Sequence, residues 1–399
     1  MTQELAINGG KPVRDKFLPY GHQWIDEEDI KAVIEVLQSD WITQGPKVAE
    51  FEKEFASYIG AKYAVAVSSG TAALHSACFA AQIKNGDEAI TSPITFAASA
   101  NCVLYQGGTP VFADIDADTL NIDPVEIKKK INKKTKALIP VDFTGLPVDL
   151  KEIQEIARKY NLIIIEDASH ALGATYKDRK IGSISDMTIF SFHPVKHITT
   201  GEGGMITTNN KEYYERLKLF RTHGITKDKD KLLKYDGPWY CEMQELGYNY
   251  RLTDFQCVLG LSQLKKVDRI IQRRREIVQK YDYEFKDMPE LKIPQTNPVD
   301  SNPAWHLYII QLDLEKLKVG RREIFEALKA ENIGVNVHYV PVHLQPYYQK
   351  KFGYRRGDFP KAENYYSRAI TLPIFPKMTE NDINDVVKAV KKVINYYKC

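Results

Sequence analysis

Alternation of short apolar runs with helix-length stretches constrains this chain more than any other feature. The segments KYAVAVSSGTAALHSACFAAQ, DEAITSPITFAASANCVLYQGGTPVFADID and TKALIPVDFTGLPVDLKEIQEIARKYNLIIIEDASH each lead from a β-rich run into a helical pattern, and the last two return to a strand. Such β-α-β order predicts a parallel sheet with helices on its faces. Sheets of this kind collect their ligands at the carboxyl ends of the strands. Over Leu150–Tyr160 the spacing of Ile153, Ile156, Ala157 and Tyr160 predicts an amphipathic helix with those residues on its buried face. The unbroken run from Leu162 to Ile165 predicts a strand covered on both sides.

The pattern changes near residue 260. LSQLKKVDRIIQRRREIVQKYDYEF predicts one long helix bridging two domains; WHLYIIQLD, RREIFEALKAENI and GVNVHYVPV predict strand, helix and strand. ENDINDVVKAVKKVINYY predicts a closing amphipathic helix. With 399 residues, more than one ordinary compact domain holds, the chain divides into a large domain over 1–260, N-terminal segment included, and a smaller α/β domain over 261–399.

A net charge of +3 gives no ground for a nucleic acid or an anionic membrane as partner. The N-terminal MTQELAINGGKPVRDK has no apolar segment of the signal-peptide kind. No run approaches the ~20 apolar residues of a spanning helix. Cys78, Cys102, Cys241, Cys257 and Cys399 are scattered, with no C-x-x-C pair, which predicts reduced thiols and a cytoplasmic location.

Chemistry-bearing residues gather at the predicted strand ends. Ser69-Gly70-Thr71 opens a helix, where backbone amides and the helix dipole favour a phosphate. Read alone, it is more readily a plain helix cap. Asp167 closes the strand in IIIEDASH, and a carboxylate buried there calls for a cation, such as a protonated ring nitrogen, or else serves as an N-cap. Phe96 in PITFAASAN either stacks on a planar ligand or packs in the core. Lys196 follows the strand-like MTIFSF and precedes the Gly-rich turn TTGEGG; desolvated at a sheet edge, its amine becomes a usable nucleophile, whereas read alone it is a solvated surface lysine like most others. Together the four point to pyridoxal 5'-phosphate, which needs a lysine amine for its aldehyde, an acid for its ring nitrogen, a helix N-terminus for its phosphate and a ring to stack on.

Other motifs are weaker. GEGG leads into a strand rather than a helix, so it is not a dinucleotide fingerprint. Pro194 between His193 and His197 argues against a helical metal pair, and His338 and His343 lie in an extended stretch around Pro341. H-E-x-x-H and G-x-S-x-G are absent.

The motifs SSGTAAL, EDASHALGA, SFHPVKHITTGEGG and LGYNYRLTDFQCVLG, and the run from LPYGHQWIDEEDI to AITLPIFPKMTENDINDVV, resemble the DegT/DnrJ/EryC1/StrS sugar aminotransferases. The resemblance implies the type I, aspartate aminotransferase-like fold of pyridoxal phosphate transferases and a homodimer with active sites at the subunit interface. It implies that Lys196 carries the cofactor and that Asp167 meets its ring nitrogen. His170 would approach its phenolic oxygen, and Phe96 would stack on the ring. Gly70, Thr71 and Ser191 would hold the phosphate, with Asn249 reaching it from the other subunit. The run VNVHYVPVHLQPYYQKKFGYRRGDFPKAENYYSRAITLP resembles the flagellin-glycan branch, which makes UDP-4-amino-4,6-dideoxy-N-acetyl-β-L-altrosamine, a pseudaminic acid precursor. By that resemblance Tyr20, Asp40, Trp41, Ile42, Thr43, His338, Tyr339, Val340 and Pro341 contact a UDP-linked 4-keto amino sugar, and L-glutamate is the amino donor. The rival expectations are a related sugar nucleotide 4-aminotransferase, of the bacillosamine, legionaminic or aminoarabinose routes, and a pyridoxal phosphate-binding regulatory protein without turnover.

Overall fold

The βα repeats assemble into one seven-stranded sheet in the computed structural model of the chain, which describes residues 4–294 and 300–399. Its strands are β1 (Tyr63–Val67), β2 (Glu88–Thr91), β3 (Thr109–Phe112), β4 (Thr135–Ile139), β5 (Ile163–Asp167), β6 (Met187–Ser191) and β7 (Gly204–Thr208). Their spatial order is β1-β7-β6-β5-β4-β2-β3. β2 pairs in parallel with β3 and β4, β4 with β5, and β5 with β6; β7 runs against both its neighbours, β6 and β1. The fold is therefore α/β with a mostly parallel central sheet.

Three helices tie the sheet to the residues of interest: α1 (Gly70–Ala80), α2 (Ala98–Tyr105) and α3 (Leu150–Tyr160). α1 is buried without a break from Ala72 to Cys78, because its alanines and small polar residues allow close approach on every side. α3 has the bounds that its periodicity predicts, capped by Asp149, which accepts from Glu152 N at 3.2 Å, and closed by Asn161 in the left-handed region. Ile153, Ile156 and Ala157 are buried as expected. Tyr160 is not: it is 41% exposed at the last turn, where the Lys159 ammonium lies 5.3 Å from its ring centre.

The long helix expected after residue 260 is two helices, α4 (Asp254–Leu264) and α5 (Val267–Phe285). The chain breaks at Lys266, whose ammonium turns inward to Asp26 at 2.6 Å and Asp29 at 2.8 Å. α5 still bridges: Val267, Ile270 and Ile271 join the core under the large sheet, whereas Ile277, Val278, Tyr281 and Phe285 join a second core. That second core lies against the sheet β8 (Leu291–Lys292), β9 (Tyr308–Leu312) and β10 (Ala369–Leu372), with α6 (Arg321–Ala330) and α7 (Glu380–Tyr397), and it takes in Leu5 and Leu18 from the N-terminal segment. GVNVHYVPV forms no strand; a single bridge joins Asn336 to Thr371. Its polar groups bond elsewhere: His338 Nδ1 meets Thr371 Oγ1 at 2.8 Å, and Val342 N donates to Pro93 O at 2.9 Å. Among the described residues no helix is long and apolar enough to cross a membrane.

The two chain ends are joined through Glu331, which is fully buried. Its carboxylate accepts from Ala6 N at 2.9 Å and Val13 N at 2.8 Å and pairs with Lys392 Nζ at 2.8 Å. Removing one member of such a buried set leaves a charge without compensation. Glu331→Ala should therefore lower unfolding stability by about 3–5 kcal/mol in urea titration; a loss under about 1 kcal/mol contradicts this account of the N-terminal segment.

Candidate active site

The carboxyl ends of β1, β5 and β6 and the loop after β2 surround a cleft of about 680 Å³. Each wall has a local cause. Ser69 caps α1 by accepting from Ala72 N at 3.0 Å, so the amides that open this helix face the cleft, where an anion can use them. Its hydroxyl thus serves the helix, as the simpler reading had it. Gly204, at the start of β7, lets the strand come close to this turn: a Cβ there would lie 2.4 Å from Ser69 O. Ser191 ends β6 and lines the cleft beside Gly70.

Asp167 ends β5 and is 5% exposed. Its carboxylate is oriented from two directions, by Ser169 N at 3.1 Å and by the Ser99 hydroxyl at 2.6 Å, and Thr95 Oγ1 lies 2.7 Å from Ser99 Oγ. Phe96, just before α2, is 62% exposed, so its ring flanks the cleft instead of packing in the core.

Lys196 is half-buried in the turn after β6. Burial pushes its ammonium down from the ordinary 10.5 to about 8; the Asp167 carboxylate opposes that change and the Arg274 guanidinium assists it. Desolvation outweighs the ion-pair attraction, and at pH 7 about one lysine in ten is then a free amine, against about one in three thousand at the ordinary value. His170 and His306 are held well below the usual histidine range, by burial first and by the Lys196 charge second. His338 falls to about 3 for the same reasons. All three are neutral at pH 7. His170 Nε2 lies 3.3 Å from the Tyr339 hydroxyl, and burial keeps that phenol protonated.

Of the residues singled out in the sequence, Tyr20, Gly70, Thr71, Phe96, Asp167, His170, Ser191, Lys196, His338 and Tyr339 line this one cleft. Asp40, Trp41, Ile42, Thr43, Val340 and Pro341 do not line it: the first five are exposed and Pro341 is buried. Asn249 is exposed too, bridged through its backbone to Thr222. Four functional positions escaped sequence reasoning. Ser99 and Ser169 orient Asp167, His306 Nε2 stands 3.4 Å from Lys196 Nζ, and Arg274 lies behind that contact. Ser99 follows Phe96 by three residues, which was a usable signal; His306 is 110 positions from Lys196 and left none.

The arrangement suits a planar aromatic cofactor bearing a phosphate, a protonated ring nitrogen and a carbonyl group. A helix N-terminus and a serine meet the first, an oriented carboxylate the second, and an easily deprotonated amine the third. His170 Nδ1, buried and without a hydrogen-bond partner among the described residues, marks the polar wall beside it.

Comparison with known proteins agrees. Residues 23–391 match the model of the DegT/DnrJ/EryC1/StrS aminotransferase family. The spore coat polysaccharide biosynthesis protein SpsC of Bacillus subtilis is 47% identical over 382 residues, 96% of this chain and 98% of that protein. The structure of Helicobacter pylori PseC, an aminotransferase involved in the biosynthesis of pseudoaminic acid, superposes with a TM-score of 0.89 at 35% identity, covering 96% of this chain and all of that one. Spr1654 of Streptococcus pneumoniae, solved in its PLP form, gives a TM-score of 0.88 at 31% identity over 95% of this chain and 99% of that one.

The depressed lysine is directly testable. In the cofactor-free protein, the rate at which formaldehyde and cyanoborohydride methylate Lys196 should rise with pH around a midpoint of about 8, read by peptide mass spectrometry. A midpoint above about 10, that of an ordinary lysine, contradicts the desolvation argument.

Proposed function

The chain belongs to the DegT/DnrJ/EryC1/StrS aminotransferase family, and from that premise we propose that it is a pyridoxal 5'-phosphate-dependent sugar nucleotide aminotransferase. The observation that carries the proposal is the half-buried Lys196 amine opposite the oriented Asp167 carboxylate, at the sheet edge where α1 begins. Gly70, Thr71 and Ser191 would hold the phosphate, Asp167 the ring nitrogen, His170 the phenolic oxygen and Phe96 the ring face. When bound, the cofactor supplies an electron-withdrawing ring that stabilises negative charge on the carbon bearing the amino group.

The chain's own residues then supply proton transfer and placement. Lys196 Nζ would take the α-proton of the amino donor, L-glutamate, with the amino nitrogen retained by the cofactor and the keto oxygen of the departing 2-oxoglutarate supplied by water. In the second half-reaction the same nitrogen returns a proton to C4 of the keto sugar. Transfer by a positioned base of this kind contributes about 10²–10⁴-fold. Ser99 and Ser169, which donate to the Asp167 carboxylate, would keep it oriented for the ring nitrogen. Tyr20, His338 and Tyr339 form the wall on the sugar side. Two domains, over 1–260 and 261–399, supply the two sides of this cleft, with the N-terminal segment packed on the core of the smaller one.

For the sugar, the likeness to PseC supports a UDP-linked 4-keto-6-deoxy-N-acetylhexosamine, with UDP-4-amino-4,6-dideoxy-N-acetyl-β-L-altrosamine as product and a place in pseudaminic acid and flagellin glycan synthesis. A second reading is a related 4-keto sugar nucleotide, favoured by the higher identity to SpsC. For assembly we propose a homodimer in which Asp40, Trp41, Ile42, Thr43 and Asn249 complete the partner's site, acting in the cytoplasm. Apolar side chains on the surface support this: Trp41 is 60% exposed, Trp239 74% and Leu246 73%.

Incubation with glutamate, pyridoxal phosphate and a panel of UDP- and dTDP-linked 4-keto sugars should yield one aminated sugar per 2-oxoglutarate, the UDP-N-acetyl substrate fastest. No amination of any keto sugar rejects the proposal. Lys196→Ala should lose at least about 10²-fold in turnover. Mixing Lys196→Ala with Asn249→Ala chains should restore about a quarter of wild-type activity, since one site in each mixed dimer is intact; absence of rescue counts against a shared site.

A further inference from the structure

The chemistry above leaves one buried histidine beside the lysine without a task. His306 is 5% exposed, with Nε2 at 3.4 Å from Lys196 Nζ and Nδ1 meeting no partner among the described residues. A neutral imidazole has one N–H and one lone pair, and a lysine ammonium can only donate. The lone pair therefore sits on Nε2, facing the lysine, and the proton sits on Nδ1.

The ring is held from behind. Ala304 N donates to Gly145 O at 2.9 Å and Leu307 N to Thr144 O at 3.2 Å. Arg274, 1% exposed, donates from Nη1 to the carbonyls of Trp305 at 3.1 Å, His306 at 3.2 Å and Ile374 at 3.1 Å. Gly145 has a φ of +100°, and a Cβ there would come within 3.0 Å of His306 N and 2.7 Å of His170 O. Around the imidazole stand Lys196, His170 with ring centres 4.3 Å apart, His197 at 5.6 Å, and Arg274 through the carbonyls. His197 turns its own Nε2 to Ala304 O at 3.0 Å. Lys196 also interacts electrostatically with the Asp167 carboxylate and with His338.

We propose that His306 is a further catalytic residue of the transamination, an inference that rests on the proposed function: Lys196 Nζ and His306 Nε2 share one proton. When the ε-amine has to act as nucleophile or base, an N–H bond breaks at Nζ and one forms at Nε2; the positive charge passes from ammonium to imidazolium and returns by the reverse step. Two charges at this separation repel, so only one nitrogen carries the extra proton at a time. Arg274 is the positioning residue that keeps the imidazole in reach.

NMR of the full chain carrying 13Cε1-labelled histidine, free of cofactor and titrated between about pH 5 and 9, tests the sharing without substrate. In the wild type His306 should stay neutral throughout, as the Nδ1–H tautomer. In Lys196→Gln, with Lys196→Ala as the second variant, its proton affinity should rise about tenfold or more. The same titration in wild type and variants overturns the proposal, whether or not the enzyme aminates sugars. In the holoenzyme, His306→Gln keeps an acceptor but cannot hold the proton: it should take up cofactor normally, lose about 10²-fold in kcat and show an altered pH profile. A wild-type kcat and profile in that variant also overturns it.

Discussion

Withdrawing one ε-amino group from water is the constraint on which the rest of the site depends. Burial lowers the proton affinity of Lys196, and the Asp167 carboxylate, which acts the other way, does not restore it. An ordinary lysine at neutral pH is almost wholly charged and unreactive; this one holds a usable fraction of free amine. Asp167 raises that proton affinity by less than burial lowers it, while its own oxygens accept from Ser99 and from the Ser169 amide. Acid and amine are thus kept apart in function although they share one cleft.

The fold produces that situation through strand order. β5 and β6 are parallel neighbours, so Asp167 at the end of one and the loop of Lys196 after the other leave the sheet on the same edge. β7 returns antiparallel between β6 and β1 and brings the opening of α1 to that edge as well. The second core closes the cleft from the opposite side. Arg274, on α5, reaches across to the carbonyls around His306, and the segment Asn336–Tyr339 lines the far wall. One helix therefore links the packing of the smaller core to the electrostatics of the lysine.

Much of this was legible in the chain because the informative residues lie at element boundaries. Asp167 closes an apolar run, Gly70 opens an alanine-rich helix and Lys196 precedes a glycine-rich turn, and each type is chemically conspicuous there. Tertiary contacts were not legible. The break at Lys266 depends on Asp26 and Asp29, far away in sequence, and the loss of the expected strand at GVNVHYVPV depends on bonds to Thr371 and Pro93. His306 and Arg274 are silent for the same reason: their meaning comes from the neighbours that folding supplies. Asn249, exposed and outside the cleft of its own chain, owes its assignment entirely to family resemblance.

The most direct measurement of the central claim is chemical. The protein loaded with pyridoxal phosphate is reduced with borohydride, digested and mapped by mass spectrometry. The account predicts a single pyridoxyl adduct, on the ε-nitrogen of Lys196. An adduct on any other lysine, or none at all, contradicts it.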